Sequence, residues 1–283
     1  MFNIRFFNET GSIDFGGGSS ATYWKVTSAD GLAFCGRTFT CAKYAGQDGQ
    51  KTTDVTVNAR VITLSGDVFC GENFAKDFKS AMTVLENEGI LEIKTELGTR
   101  RIKARCSDFR ENGRKGKYML FVIQFVCDDP YFEDADKTEV AVFKEIPLLN
   151  SEFTFPGKFS ERISRRNIVY EGTRKAEPTF FISIDEGRDG ENQLVIKNHT
   201  SGETLSFDYG GVFGDFITVD IKNRKIYNQN GESLLKYLTD DSFFDGFHLF
   251  PGSNDIEVIN RNANTGITVN CQYANRYSEA VYI

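Results

Sequence analysis

The 283-residue sequence has no long hydrophobic run and no recognisable leader. Its longest clean apolar run, Met119 to Ile123, falls far short of the roughly 20 residues that a membrane-spanning helix needs. The N-terminal stretch does not place a cationic segment before an apolar one, as a secretory signal does. The sequence therefore predicts a protein without a spanning helix or a signal peptide.

Residues that usually carry chemistry are scarce or badly spaced. The chain has two histidines, His199 and His248, and six cysteines without a Cys-x-x-Cys pair, whereas a structural zinc site needs closely spaced ligand pairs. It also lacks the Gly-x-Ser-x-Gly, His-Glu-x-x-His, Walker A and Rossmann motifs. We therefore expect no metal, no cofactor, no catalytic residues and no enzymatic activity.

The cysteines fit the role of small apolar residues. Cys106 and Cys271 alternate in phase with inward-facing strand positions, which is typical of buried free thiols in a reducing compartment. Cys35 and Cys41 are close enough in sequence to bridge across a turn, and this alternative stays open.

What the sequence does contain indicates a folded, mainly β protein. Hydrophobic residues make up 40% of the chain and charged residues 26%, values that exclude disorder, collagen and a long coiled coil for the chain as a whole. Aromatic residues are abundant, with 26 Phe and 11 Tyr, and both types favour pleated strands. The length suits one large or two medium domains.

The formal net charge of −7 lacks the basic field that nucleic-acid-binding proteins show. One stretch departs from this balance, since Lys94 to Lys117 holds nine basic residues and three acidic ones. Two interpretations stay open for it: a solvated hairpin face, or a contact with an acidic partner surface.

The first part of the chain predicts strands and a single helix. Residues 55–62 alternate with a period of two, and the run 118–126, after a polar turn at 111–113, is apolar on both faces like a doubly covered central strand. Between them, apolar residues recur at helical period, with Asn73 as the N-cap and Gly89 as the stop. The apolar stripe of this helix consists of Phe74, Phe78, Ala81, Met82 and Leu85.

The composition changes after residue 128. Residues 128–139 carry six acids, one lysine and one proline, which is typical of a domain exit. The stretch 134–167 has no clean period and predicts an extended connector. From residue 168 onward, short alternating strands separated by turn signals predict a sandwich or jelly roll, with a brief helical turn within 233–239. The predicted strands are 179–184, 193–197, 204–209, 216–221, 225–228, 247–250, 255–259 and 267–273.

The order of these features resembles the distal tail protein of long, non-contractile-tailed (siphovirus-type) phages. A strand and loop over 60–74 lead into the helix that carries Phe74 and Phe78, and a basic hairpin and an apolar strand follow. The first domain then ends on a run that is the most specific element of the resemblance, formed by Asp129, Pro130, Tyr131 and Phe132.

The second half of the chain extends the resemblance over nearly the whole sequence. The segments 196–203, 214–233 and 249–258 match the sandwich domain of that family in type and order. The last of them contains Pro251, Gly252 and Asn254, which we take with the exit run and the two helix phenylalanines as the family-motif residues.

The resemblance implies a two-domain structural protein of the virion. Residues 1–133 are expected to form a tail-tube-like β-sandwich with one flanking helix, 134–167 the connector, and 168–283 a galectin-like or jelly-roll β-sandwich. Six copies are expected to form a homo-hexameric ring at the tail tip, assembled in the host cytoplasm without a membrane. One ring face would meet the tail tube and the other the tail-associated hub protein, with DNA passing through the channel without specific binding.

The resemblance also implies that the second domain projects outward, to carry a receptor-binding protein or to bind host glycan. The same hub would serve a phage, a prophage or a domesticated tail-like particle.

Two other functions stay open on the residues alone. The first is a carbohydrate-binding or host-adhesion protein built from two β-sandwiches, which would need an exposed aromatic cluster on the second domain. The second is a glycoside-active enzyme on a jelly-roll scaffold, which would need two carboxylates in one cleft. Asp208 and Asp220 are examples of strand carboxylates that such an enzyme would use.

Overall fold

The structure of the chain is a computed structural model that describes residues 3–16, 23–147, 160–185, 193–208, 214–260 and 266–280. It divides into two compact units, the first comprising Met1–Ala135 with Arg276–Ile283 and the second Asp136–Asn275. Both units are mainly β, which confirms the predicted fold class.

The first unit begins with nine strands, one helix and a short tenth strand. Their bounds are β1 Asn3–Asn8, β2 Gly11–Asp14, β3 Trp24–Asp30, β4 Arg37–Ala42, β5 Lys51–Val57, β6 Arg60–Phe69, α1 Phe74–Leu85, β7 Gly89–Thr95, β8 Gly98–Lys115, β9 Tyr118–Cys127 and β10 Phe132–Asp134.

The main sheet of this unit is antiparallel and folds over on itself. Its strand order is β2-β1-β7-β8-β9-β6-β3, and the long strand β8 pairs with β7 through its first half and with β9 through its second. A register shift between Cys106 and Asp108 marks the change of partner. The two halves of the sheet pack face to face, so that the rings of Phe6 on β1 and Phe125 on β9 lie 5.0 Å apart.

Helix α1 begins directly after the predicted N-cap, spans the predicted apolar stripe and covers one side of this core. Ala81, Val84 and Leu85 are buried, while the aromatic side chains at its N-terminal end are half-buried. Asn73 is the N-cap residue, although its side chain makes no capping hydrogen bond.

Gly89 does not stop the helix, which ends on Leu85 with Glu86 as the C-cap. It begins β7 instead, where a Cβ would lie 2.7 Å from the ring of Phe6 and 2.6 Å from the carbonyl oxygen of Phe7. Only glycine fits this close approach of β7 to β1.

Strands β4 and β5 form a separate two-stranded hairpin, which we call the arm. The predicted strand over 55–62 is therefore two strands, broken at Asn58, whose backbone N–H donates to the carbonyl of Gly36. Nearly all of the arm is exposed, including Phe39 and Val55, which are cross-strand partners.

The predicted central strand is β9, paired with β8 on one side and β6 on the other. One of its faces is buried, as expected. Cover on both faces is wrong for the single chain, because Tyr118 and Leu120 are exposed on the opposite face. The turn before it also lies later than predicted, at Gly116 and Lys117, because a bulge between Glu111 and Arg114 lets β8 continue to Lys115.

The second unit is a sandwich of two antiparallel sheets, with orders β12-β11-β20-β14-β17-β18 and β13-β19-β15-β16. One apolar core lies between them, with Phe180 and Phe247 in edge-to-face contact at 5.5 Å. The bounds are β11 Thr138–Pro147, β12 Ser160–Ile163, β13 Arg165–Tyr170, β14 Thr179–Ile184, β15 Gln193–Asn198, β16 Thr204–Asp208, β17 Phe216–Asp220, β18 Lys225–Asn228, η1 Leu235–Tyr237, β19 Gly252–Asn260 and β20 Ile267–Tyr273.

Seven of the eight strands predicted here are present as strands, and η1 is the predicted helical turn. The eighth, over 247–250, is a single bridge between Leu249 and Ala176. Residue 209, the predicted end of one strand, lies outside the described residues.

The stretch 134–167 differs from the predicted connector, since β11, β12 and the first half of β13 lie in it. A bulge between Ala141 and Phe143 places both Val142 and Phe143 in the core, which removes the period-two pattern that would have indicated a strand. Residues 148–159 of the predicted connector lie outside the described residues.

The chain returns to the first unit as β21, Arg276–Tyr277, which pairs with β10. The second unit is thus inserted between two neighbouring strands of the first. The predicted first domain ends at residue 133. The first unit of the structure also includes the residues from 276 onward.

We expect Phe78→Ala to lower the free energy of unfolding of the first unit by about 3 kcal/mol, near the low end of the range for buried aromatic residues because Phe78 is half-buried. The ring stacks on Trp24, the only tryptophan of the chain, with centroids 6.1 Å apart, so tryptophan fluorescence during urea unfolding reports on the site directly. The neighbouring exposed residue supplies the control, Lys79→Ala. A change below about 0.5 kcal/mol, as at ordinary surface sites, would contradict this packing role.

Candidate functional site

The family-motif residues lie in three places: an aromatic cluster under α1, a junction where β10 meets β21, and a turn before β19. Phe74 and Phe78 belong to the first, Asp129 to Phe132 to the second, and Pro251, Gly252 and Asn254 to the third. The structure therefore does not gather them into one site.

The aromatic cluster attaches α1 to the sheet. Phe78 lies 5.4 Å from Phe74, stacks on Trp24 and meets Phe109 of β8 edge-on at 5.6 Å. Trp24 in turn meets Phe121 of β9 at 5.1 Å. Such edge-on and offset contacts contribute stabilising energy in addition to that from the apolar area they bury. The cluster therefore fixes the helix on strands β3, β8 and β9.

The junction is organised by Arg60, which is 1% exposed. Its Nε donates to the carbonyl oxygen of Pro130 at 2.7 Å, and its two terminal nitrogens donate to the carbonyls of Gly31 and Ser278. The guanidinium also lies over the ring of Phe132, 4.6 Å from the centroid. One side chain thereby ties the end of β3, the exit run and the returning C-terminal segment together.

Burial lowers the pKa of the Arg60 guanidinium from its usual value, because the charge is removed from water. The hydrogen bonds to three carbonyl oxygens offset part of that desolvation, since these oxygens are the negative ends of peptide dipoles. Sequence analysis does not detect this role, because Arg60 stands at the start of an alternating strand where an arginine usually faces solvent.

Two further arginines complete the junction from the returning segment and from β8. Arg276 donates to both carboxylate oxygens of Asp129 and lies over the ring of Tyr131 at 5.1 Å. Arg100 pairs with Asp134 and lies over the ring of Tyr277 at 3.6 Å.

The exit run is therefore a set of partners for arginines of the same unit. Its one carboxylate, Asp129, accepts hydrogen bonds from the guanidinium of Arg276, and the rings of Tyr131 and Phe132 lie under guanidinium groups. This arrangement holds the exit run and the returning C-terminal segment together, so the role of these residues is structural.

The turn before β19 is closed by the side chain of Asn254, which is fully buried. Its Oδ1 accepts from the backbone N–H of Phe250 at 2.8 Å, and its Nδ2 donates to the carbonyls of Phe250 at 2.7 Å and Gly252 at 3.1 Å. Gly252 has a φ of +94°, a conformation that favours glycine, and Pro251 precedes it in the turn. These residues set the start of β19 opposite β13.

Most of the basic stretch is neutralised within the chain. Among the described residues, six of its nine basic side chains pair with carboxylates, and the exceptions are Lys94, Lys115 and Lys117. The pairs are Arg100–Asp134, Arg101–Glu92, Lys103–Glu88, Arg105–Asp128, Arg110–Asp108 and Arg114–Glu111.

All six cysteines are free, so Cys35 and Cys41 do not form the disulfide that spacing allowed. Cys271 is buried, as predicted, and Cys106 is half-buried. Burial raises the pKa of the Cys127 thiol to about 12 and raises that of Cys271 as well, which keeps both protonated at neutral pH.

In the described part of the chain, no helix is long and apolar enough to cross a membrane. Within the same residues, no three His, Cys, Asp or Glu side chains come together as a metal site would require.

The model of the family described as "Siphovirus-type tail component, C-terminal domain" matches residues 171–277. The fold over 98% of the chain is similar to that of the SPP1 Dit (gp 19.1) protein, described as a paradigm of the hub adsorption apparatus in phages that infect Gram-positive bacteria, with a TM-score of 0.70 and 13% identity over 99% of that chain. A chain of the phage P2 baseplate in its activated conformation with Ca matches all of this chain at a TM-score of 0.50 and 13% identity, covering 99% of its own length.

A curated protein, the trigger factor of Ehrlichia chaffeensis, is 25% identical over 201 residues, which are 64% of this chain. This chain spans only 45% of that protein's length. The tail-component family match and the fold match agree with each other, and they confirm the resemblance to distal tail proteins predicted from the sequence.

We expect Arg60→Met to destabilise the first unit by about 2–4 kcal/mol, because three half-buried carbonyl oxygens lose their donor. The measurement is urea unfolding followed by the fluorescence of Trp24. Arg37→Met, at an exposed position on the arm, is the matched control and should change stability by less than about 0.5 kcal/mol. Equal effects of the two substitutions would show that Arg60 does not hold the junction.

Proposed function

We propose that this chain is the distal tail hub of a siphovirus-type phage or related tail-like particle. Six copies form a ring that joins the tail tube to the tail tip, and the ring leaves a channel for DNA. The protein acts by assembly and not by catalysis, and its place is the tail tip of the virion, after assembly in the host cytoplasm. The single observation that carries this proposal is the tail-component match of residues 171–277 on a chain with the Dit fold.

The arm supports an assembled state. Phe39 is 59% exposed and Val55 45% exposed, and they stand opposite each other on a hairpin that has only two strands. An isolated two-stranded hairpin is marginally stable in water, and an exposed apolar pair is a typical contact for another chain. A ring gives every arm the same neighbour and closes on itself, so that no arm is left open to uncontrolled pairing.

The sheet of the first unit supports the same state through its end strands. β3 stands at one end of the strand order and β2 at the other. The chain just after β2 bridges β3 between Gly16 and Lys25, and the rest of each outer edge has no strand partner among the described residues. Open edges invite pairing with any chain, whereas closure by rotation occupies them with equal copies.

The partners follow from this role. The tail tube protein would occupy one face of the ring and the tail-associated hub protein the other. DNA would pass without specific binding, because the chain's net charge of −7 does not attract phosphates. The second unit would carry a receptor-binding protein or bind host glycan.

The alternative function is carbohydrate binding or host adhesion without a ring. One observation favours it: the second unit exposes Phe216, whose ring stacks on Phe181 at 5.8 Å on the outer face of its larger sheet. Flat aromatic surfaces of this kind suit sugar rings. Binding on a glycan array that is lost in Phe216→Ser, with a monomeric chain at all concentrations, would favour this function over the hub.

Negative-stain electron microscopy with mass determination across a concentration series tests the hub. Six copies of the 31.9 kDa chain total about 191 kDa, and we expect six-fold rings with a central hole. The measurement is repeated with the tail tube protein of the same genome, because that partner can be needed for closure. A chain that stays monomeric in both conditions would contradict the proposal.

A further inference from the structure

The turn between β8 and β9 lies next to a cluster of three rings, of which Tyr118 is exposed and Tyr23 and Phe69 are half-buried. Phe69 of β6 is the cross-strand partner of Tyr118 of β9, and the backbone N–H of the following residue, Cys70, donates to the carbonyl of Lys117 in the turn. We call this surface the tip patch, and it consists of Tyr23, Phe69, Lys115, Lys117, Tyr118 and Leu120.

Three rings form the apolar part of the tip patch. Tyr23 stacks on Phe69 with centroids 5.7 Å apart, and Phe69 meets Tyr118 at 5.5 Å. The two tyrosine hydroxyls lie 3.5 Å apart. Tyr118 remains 39% exposed, and Leu120 beside it is exposed as well, so the rings support one another and still leave apolar area to solvent.

The charge of the tip patch sets it apart from the rest of the basic stretch. Arg114 in the same turn region is already paired with Glu111. Lys115 is the cross-strand partner of Tyr118, and Lys117 directly precedes it in the turn; neither lysine pairs with a carboxylate among the described residues. Two of the three basic side chains of the stretch that pair with no carboxylate among the described residues are thus placed beside these rings.

We propose that the tip patch docks a protein different from this chain, whose surface presents carboxylates around an apolar contact. Interfaces of this kind have an apolar centre rich in Tyr and Phe and a polar rim, and charge complementarity at the rim steers association. The inference rests on the proposed function, to which it adds the chemistry of one docking partner of the hub.

Two other occupants fit the patch less well. Nucleic acid would meet only two free lysines here, on a chain with a net charge of −7. In the proposed ring a second copy contacts the arm, which leads into the start of β6, whereas the tip patch lies at the opposite end of β6 and at the turn between β8 and β9.

Photo-cross-linking in assembled particles tests the inference. The full chain carries p-benzoylphenylalanine at position 118, or at position 117 should the first variant fail to fold, and is assembled with the complete set of tail proteins of its genome. We expect a cross-link to a different protein, at a peptide that contains Asp or Glu. In the background of K115E/K117E the cross-link yield should fall by about tenfold or more, and reversing the partner's carboxylates to lysine should restore it.

The matched control is K76E/K79E, which makes the same charge change on the exposed face of α1 and should leave the yield unchanged. A cross-link to DNA, a cross-link to a second copy, no cross-link in complete particles, or a yield that K115E/K117E does not alter would each overturn the inference. The ring measurement tests the proposed function separately, so intact rings with any of these results would overturn the tip patch alone.

Discussion

The first unit depends on a returning segment that buried arginines hold in place. The sheet of this unit is assembled from residues 3 to 134, but its junction is complete only when residues 276–280 come back to it. Arg60 is the centre of that closure, because its planar guanidinium donates hydrogen bonds to three carbonyl oxygens from three separate segments of the chain. No lysine or apolar residue offers donors in that geometry. The order of folding is constrained as a result, since residues that are synthesised after the whole second unit are needed to complete the first unit.

The sequence was sufficient where local pattern and tertiary environment agree. The helix stripe gave α1 its bounds, and the alternating runs of the second unit gave β14, β18 and β20 theirs. It was insufficient where pairing between distant residues decides the outcome. The bulge at Ala141 hides β11 from any period-two pattern, and the role of Arg60 depends on partners that are 29, 70 and 218 residues away.

The family-motif residues show the same limit. The resemblance identified the positions of these residues, but it did not identify the contacts that they make. Asn254 satisfies backbone groups inside a turn, and Asp129 neutralises an arginine that comes from the far end of the chain. Residues that recur in a structural protein often serve such internal contacts, so motif strength alone does not mark a surface for partners. The exposed features of the first unit, the arm and the tip patch, lie outside the motif set.

The insertion of the second unit between β10 and β21 has a consequence for how such proteins diversify. Glu133 and Arg276 are direct cross-strand partners, so the inserted chain departs and re-enters through adjacent positions of one short ribbon. Any module whose own ends lie close together can occupy this position without altering the strands on either side. A single recombination event that exchanges the segment 136–275 would then give the protein a new second unit while keeping the strands of the first unit. Sequence change in the inserted unit is thereby separated from sequence change in the unit that receives it.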